Sequence, residues 1–132
     1  MAYSYSTLSE HRLLECDIRL QSIFRELLTI YDHTIVCGHR NAKDQNTAYE
    51  AGNSKVKWPN SKHNDFPSMA VDVIPYPDGW DSLKSFYFMA GAVKAIANRQ
   101  GIEIRWGGDW SMDNDFDDQT FMDLAHFQIV DG

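Results

Sequence analysis

An aspartate lies in the middle of a short apolar segment, and this placement restricts how the chain can fold. The segment is Ala70–Ile74, in which Asp72 has a valine on either side. Its β-branched composition predicts a strand that is buried on both faces. A carboxylate removed from water costs several kcal/mol, or changes its protonation state, unless it gains a partner. Asp72 therefore requires a cation.

Two kinds of partner could neutralise Asp72. One is an arginine, for which Arg40 and Arg105 are the candidates. The other is a metal ion held together with His63 and His126, since two imidazoles and a carboxylate form a catalytic zinc site whose fourth position stays open to water. His63 and Asp72 are nine residues apart, a separation that imposes no geometry of its own, so the pattern leaves both partners open.

Asp123 precedes His126 by three residues and is a candidate general base. In one regular strand the two side chains would face opposite sides, whereas a turn leading into the strand would let both point at a common site. The alternative is a loop acid or a helix cap. His11 and His33 are assigned to solvated or dipole-compensating positions on the first helix and at its exit.

Helical and strand-like periods alternate along the chain. The predicted elements are, in order, a helix starting at Thr7 with an apolar stripe to Ile30, a strand over 34–37, a helix over 42–51, a surface loop over 53–69, a strand over 70–74, a helix from 78–81 to Gly101, and strands over 102–106 and 125–130. This order predicts an α+β fold in which helices pack mainly on one side of a small sheet.

Length and charge limit the function classes. The chain has 132 residues, 43% of them hydrophobic, which predicts a single domain over 1–132, and we expect a monomer. Its net charge of −7 argues against binding to nucleic acid or to an anionic membrane. Cys16 and Cys37 are predicted to be buried thiols. The polar N-terminus carries no recognisable signal peptide, so synthesis in the cytoplasm is expected.

Two further features are ambiguous. The run Asp113–Asp118 has the D-x-D-x-D opening of a calcium loop, but it lacks the glycine at position six and the glutamate at position twelve. A solvated acidic loop is the default, with Ca²⁺ binding as the alternative. Among the aromatic residues, Trp80 and Trp106 are assigned to packing, whereas Trp110, beside a double glycine, is the better candidate for lining a cleft.

Several segments together resemble the M15 family of zinc peptidases, which includes the D-alanyl-D-alanine carboxypeptidases and the VanX/VanY-like enzymes. The segments that carry the resemblance are Ser61-Lys62-His63, Ser68-Met69-Ala70-Val71-Asp72, Asp123-Leu124-Ala125-His126, Gly38-His39-Arg40, Gln45 and Trp106-Gly107-Gly108-Asp109-Trp110. The most similar branch is the phage endolysins that are L-alanyl-D-glutamate peptidases. The resemblance extends from about residue 34 to residue 130.

The resemblance implies a fold, a cofactor and a set of site residues. The fold would be that of the D-Ala-D-Ala peptidase and hedgehog-like proteins, with a small antiparallel sheet. One Zn²⁺ per chain would be bound by His63, Asp72 and His126. Asp123 would act as general base and Arg40 would contact a substrate oxygen near the scissile bond. The implied substrate-binding residues are Arg40, Gln45, Ser61 and Trp110.

The segment after His63 departs from the family pattern, which usually reads S-x-H-x-x-G-x-A-x-D. Here His63 and Asp72 are nine residues apart instead of seven, and Ser68 stands where glycine is usual. The intervening loop must therefore bulge. Asp65 becomes an alternative metal ligand, but Asp72 is preferred because its apolar strand leaves it without another solution.

The implied activity is zinc-dependent hydrolysis of the L-Ala-D-Glu bond in bacterial peptidoglycan by a phage endolysin that lyses the host. Such an enzyme would have no separate wall-binding module and would reach the cell wall in the periplasm after holin-type release. The alternatives are a D-Ala-D-Ala carboxypeptidase or dipeptidase, and a binding module that keeps zinc without catalysis.

Overall fold

The structure is a computed structural model that describes residues 3–114 and 123–130. Within these ranges the chain forms a four-stranded antiparallel sheet with strand order β1-β2-β4-β3. The strands are β1 (His33–Cys37), β2 (Ala70–Pro75), β3 (Ile104–Gly107) and β4 (Asp123–Ile129). The helices are α1 (Thr7–Leu14), α2 (Ile18–Leu28), α3 (Ala42–Glu50) and α4 (Leu83–Arg99), with short 3₁₀ turns at Lys62–Asn64 and Gly79–Asp81. The predicted α+β class is confirmed.

The sheet separates an apolar face from a polar one. Because side chains alternate along a strand, one face carries the apolar residues that join α2 and α4 in the core. These buried strand residues are Ile35, Val71, Val73, Ile104, Trp106, Phe127 and Ile129. Asp72 and His126 are opposite each other in the register of β2 and β4 and lie on the other face. No helix in the described part of the chain is long and apolar enough to cross a membrane.

The first helix is broken in two, contrary to the prediction of one helix to Ile30. The backbone N–H of Ser68 donates to Glu15 at 2.8 Å, and that of Asp17 donates to Ser68 at 2.8 Å. Asp17 then caps α2 by accepting the N–H of Arg19. The apolar stripe continues across the break, since Leu13 and Cys16 are both buried, and for this reason the periodicity does not reveal it.

Other boundaries differ by smaller amounts. The predicted third helix is a separate 3₁₀ turn followed by α4, which Ser82 caps through its side chain. β3 begins at Ile104 instead of 102, and β4 begins at Asp123 instead of 125. Both cysteines are free thiols, as predicted, with Cys16 buried and Cys37 half-buried.

A bulge at the start of β4 determines where Asp123 points. Trp106 pairs with Phe127, but the next residue, Gly107, pairs with Asp123, so the register shifts between them. A Cβ atom on Gly107 would lie 2.0 Å from the Asp123 carbonyl oxygen, so only glycine allows this approach. The bulge places Asp123 and His126 on one side although both belong to β4, and this common orientation was one of the two that the sequence left open.

His33 is buried instead of solvated, contrary to its assignment from the sequence. Its Nδ1 lies 2.9 Å from the Tyr31 carbonyl oxygen, and its Nε2 lies 2.5 Å from the Tyr5 hydroxyl. Burial lowers the pKa of His33 to about 4, against the opposing effects of the Tyr31 hydrogen bond and the Asp32 charge. The folded protein therefore holds this imidazole neutral.

Replacing Gly107 by alanine is expected to destabilise the protein by about 1–3 kcal/mol, since the new methyl group must displace the Asp123 backbone. Gly91 of α4 is a matched control because its Cβ would meet nothing within 4 Å. Gly91→Ala should stabilise the helix by about 0.5–1 kcal/mol. Urea unfolding measures both changes. Equal free energies of unfolding for Gly107→Ala and the parent would contradict this account of the bulge.

Stability should decrease as the pH falls from about 6.5 to about 4, because the unfolded chain takes up a proton on His33 that the folded chain resists. His33→Asn removes this titration and keeps a donor toward Tyr31, so its unfolding free energy should depend less on pH in that window. His11→Asn, at an exposed position, should follow the parent. The measurement is urea unfolding of the three proteins at matched metal content. An unchanged pH slope for His33→Asn would refute the assignment.

Candidate active site

A cleft of about 750 Å³ opens on the polar face of the sheet. Its walls come from β2, β4, the segment before the Lys62–Asn64 turn, and Trp110. The lining residues are Arg40, Asn53, Ser54, Lys55, Val56, Asn60, Ser61, Lys62, His63, Asp72, Trp110, Ser111, Asp123, His126 and Gln128. The cleft thus brings together all five residues predicted to be catalytic or metal-binding, namely Arg40, His63, Asp72, Asp123 and His126.

Three predicted metal ligands converge at the base of this cleft. Asp72 and His126 face each other across β2 and β4, and their Oδ1 and Nδ1 atoms are 3.3 Å apart. His63 is carried by the 3₁₀ turn that Ser61 and Asn64 cap, and its Nε2 lies 3.2 Å from the same Asp72 oxygen. Two imidazole nitrogens therefore approach a single carboxylate oxygen.

The outer ring nitrogens show which atoms are available for a metal. His63 Nδ1 lies 2.7 Å from the Gly38 carbonyl oxygen, so it must carry the proton, and a neutral ring presents a lone pair at Nε2. His126 Nε2 lies 2.7 Å from Gln128 Oε1, which leaves the lone pair at Nδ1. Both lone pairs then point at Asp72, itself an acceptor. The inner nitrogens can either carry protons that they donate to Asp72 or bind a cation beside it, and a donor set of two imidazoles and a carboxylate fits zinc.

The electrostatics of the cluster lead to the same conclusion. Burial opposes a charge on His63, yet the Asp72 carboxylate raises the pKa of His63 to about 10. Burial alone would raise the pKa of Asp72, but the two histidines hold it well below its usual range. The site therefore keeps its carboxylate ionised and attracts positive charge, whether as protons or as a divalent ion.

Arg40 is also a partner of Asp72. Its guanidinium nitrogen lies 3.4 Å from Asp72 Oδ2, the oxygen that the histidines do not use. Arg40 and the two histidines thus contact different oxygens of the Asp72 carboxylate. Among the described residues, Arg40 and not Arg105 is the arginine within ion-pair distance.

Asp123 stands beside this cluster. Its Oδ2 lies 4.0 Å from His126 Nδ1, and burial followed by the charge of Asp72 raises its pKa. Two groups of described residues can each bring one ligand atom per residue within 4.8 Å of one another: Asp72 with Asp123 and His126, and Asp72 with Cys37 and His63. Asp65, the alternative acid, is exposed and belongs to neither group of candidate metal ligands in the described residues.

Comparison with known proteins shows the family of this chain. The family model described as phage L-alanyl-D-glutamate peptidase matches residues 1–130. The L-alanyl-D-glutamate peptidase of Escherichia phage T5 is 31% identical over 138 residues, covering 98% of this chain and 100% of that protein. The chain belongs to the phage L-alanyl-D-glutamate peptidase family.

A solved structure extends the likeness to three dimensions. The crystal structure of the Serratia marcescens L-Ala D-Glu endopeptidase ChiX is 28% identical and matches with a TM-score of 0.74, covering 96% of this chain and 89% of that one. The resemblance, the fold and the enzyme class drawn from the sequence are confirmed. The peptidase family and the two groups of candidate metal ligands that share Asp72 are compatible with zinc.

Gln45 does not face the substrate cleft, contrary to its predicted role in binding. It is fully buried. Its Oε1 accepts from Arg40 at 3.0 Å and from Asn64 at 3.3 Å, and its Nε2 donates to Ser54 and to the Val56 carbonyl oxygen. The amide therefore ties α3 to the cleft wall and fixes the guanidinium of Arg40. A residue type that suits substrate binding also suits such a junction, and the sequence does not distinguish the two.

The other predicted substrate-binding residues do lie at the cleft. Ser61 lines it, and its Oγ accepts the backbone N–H of His63 at 3.2 Å. The ring of Trp110 is tilted over that of His126 with 5.3 Å between centroids. Gln128 also lines the cleft and was not singled out from the sequence, although its position two residues after His126 places both on one face of a strand.

The acidic run cannot be assessed as a calcium loop, because positions 115–118 lie outside the described residues. Asp113 and Asn114 are described, and the Asn114 backbone N–H donates to the buried Asp109 at 2.8 Å. Calcium binding stays a prediction.

Gln45→Met should destabilise the peptidase by about 1–3 kcal/mol, because the groups that hydrogen-bond to the buried amide would be left without a partner. The freed guanidinium of Arg40 should also lower the hydrolysis rate. Gln21→Met is the matched control, because Gln21 makes a hydrogen bond to the Cys16 carbonyl oxygen and does not line the cleft. Unfolding and hydrolysis assays on both variants test this. Full stability and rate in Gln45→Met would contradict the role as a junction.

Proposed function

We propose that this peptidase is a zinc-dependent endopeptidase that hydrolyses the L-Ala-D-Glu bond of bacterial peptidoglycan and lyses the cell wall. The observation that carries the proposal is the set of acceptor atoms of His63, Asp72 and His126, which converge in a cleft that also holds Asp123 and Arg40. Membership of the phage L-alanyl-D-glutamate peptidase family supports the choice of bond.

His63, Asp72 and His126 would hold the zinc ion. A zinc ion bound by three protein ligands lowers the pKa of a water molecule toward neutrality and polarises a substrate carbonyl. The outer hydrogen bonds from His63 to Gly38 and from His126 to Gln128 keep both imidazoles in the ligating tautomer. Each imidazole would then present a ligand atom beside Asp72.

Asp123 is suited to move the proton in this hydrolysis. It lies next to the ligand cluster, and burial together with the charge of Asp72 raises its pKa, which suits a carboxylate that accepts and returns a proton. The carboxylate takes a proton from the attacking water as the new C–O bond forms. It gives that proton to the amine as the C–N bond breaks.

Arg40 is suited to stabilise the oxygen of the scissile carbonyl. Gln45 holds one guanidinium nitrogen and Asp72 lies at the other, so the group is fixed at the edge of the cleft before substrate binds. A preorganised donor of this kind is typically worth about 2.7–4 kcal/mol of the barrier. Ser61 and Trp110, on the cleft wall, would contact the peptide.

We propose that residues 1–132 act as one catalytic domain, as a monomer on peptidoglycan peptide at the bacterial wall. Nucleic acid and membrane are not proposed as partners, in keeping with the net charge of −7.

Mass spectrometry of purified peptidoglycan digested by the enzyme tests the bond specificity. The expected products are glycan fragments ending in L-alanine and peptides with a new amino-terminal D-glutamate. Release of single terminal D-alanine residues would instead show a carboxypeptidase. Absence of any product with the zinc-loaded protein would favour a binding module, and either outcome would refute the proposal.

Asp123→Asn should retain zinc but lose turnover by about 10²- to 10⁴-fold, because the amide cannot accept the water proton. Asp65→Asn is the matched control, since Asp65 is an exposed acid two residues from His63. It should keep both zinc and activity. Elemental analysis and a peptidoglycan-clearing assay give the two readouts. Normal hydrolysis by Asp123→Asn would remove this residue from the mechanism, and zinc loss in Asp65→Asn would reassign the ligand.

A further inference from the structure

Gln128 contacts a proposed metal ligand directly. Its Oε1 lies 2.7 Å from His126 Nε2, and it lines the cleft beside that ring. The two residues are two apart in β4, so both side chains project from the same face of the sheet.

This contact bears on which ring nitrogen of His126 carries the proton. A neutral imidazole carries one proton, so Nδ1 has a lone pair for a metal only when Nε2 holds the hydrogen. The His126 Nδ1 atom is the one that faces Asp72 at 3.3 Å and Asp123 at 4.0 Å. Ligation at Nδ1 therefore requires the proton on Nε2, and Gln128 Oε1 is placed to accept a hydrogen bond from it.

The two histidines are held in different ways. His63 donates to the Gly38 carbonyl oxygen, a backbone group that also accepts from the Ser68 hydroxyl at 3.2 Å. A backbone carbonyl is an acceptor in every conformation. The Gln128 amide has an acceptor on one side and a donor on the other. If its NH₂ group faced Nε2, the proton would move to Nδ1 and point at Asp72, and His126 would become a hydrogen-bond donor instead of a ligand.

We propose that Gln128 is a positioning residue that keeps His126 in its metal-ligating tautomer through the hydrogen bond from Nε2 to Oε1. This inference rests on the proposed zinc site. A backbone carbonyl fixes the tautomer of His63, whereas the side chain of Gln128 would fix that of His126. Loss of such an outer partner typically weakens metal binding by about 10- to 100-fold.

Three variants test the inference. Gln128→Met keeps the length of the side chain and removes the acceptor, so zinc affinity should fall by about 10- to 100-fold. Gln128→Glu keeps an acceptor and should bind zinc at least as tightly as the parent. Gln21→Met makes the same change in α2, where the amide donates to the Cys16 carbonyl oxygen, and should leave the affinity unchanged.

Zinc affinity is measured by competition with a chromogenic chelator, and the protonated nitrogen of His126 is identified by ¹⁵N–¹H NMR of the zinc-loaded proteins. In the parent and in Gln128→Glu, the proton should reside on Nε2 with zinc at Nδ1. In Gln128→Met, weaker binding should accompany loss of this protected Nε2 proton signal through faster exchange with water.

The outcomes separate this inference from the proposed function. A parent protein that binds no zinc would refute the site itself. A parent that binds zinc, together with a Gln128→Met variant of equal affinity, would refute only the role of Gln128. Weaker affinity in Gln128→Met with an unchanged, protected Nε2 proton would also refute it, because the effect would then not act through the tautomer.

Discussion

The contact between one buried carboxylate and two histidine nitrogens underlies the site. Asp72 sits in an apolar strand, and its Oδ1 receives His63 from a loop and His126 from the neighbouring strand. The outer nitrogens of both rings face acceptors, so the inner nitrogens face Asp72 and can hold either protons or a metal ion beside its carboxylate. Arg40 and the two histidines thus meet the requirement for a partner that the strand composition imposes, in an arrangement compatible with a bound metal ion.

Irregularities of the backbone position the residues around Asp72. The bulge opposite Gly107 turns Asp123 to the side of His126. The longer loop after His63 is anchored where Ser68 pairs with the backbone on both sides of Cys16. The break between α1 and α2 therefore has a structural consequence, because it provides the groups that hold the loop carrying His63. The same junction lets Glu15 accept the backbone N–H of His39, next to Arg40.

The sequence predicted the features that depend on residue type and local period. An aspartate in a β-branched segment indicated a buried charge, and the α+β class followed from the order of helical and strand periods. The break at Glu15–Asp17 was missed because the apolar stripe runs through it. The common orientation of Asp123 and His126 was open because a bulge depends on the neighbouring strand. The burial of Gln45 depends on partners that are distant in the chain, which a single sequence does not reveal. The contact of Gln128 with His126 depends on the rotamers of two side chains on one face of β4.

Elemental analysis of purified protein tests the central claim most directly. The account predicts about one zinc ion per chain in the parent and close to none in His126→Ala, while His11→Ala, altered at an exposed histidine, keeps the parental content. A folded His126→Ala protein that retains the parental zinc content, or a parent that is fully active on peptidoglycan after all transition metal has been removed, would contradict it.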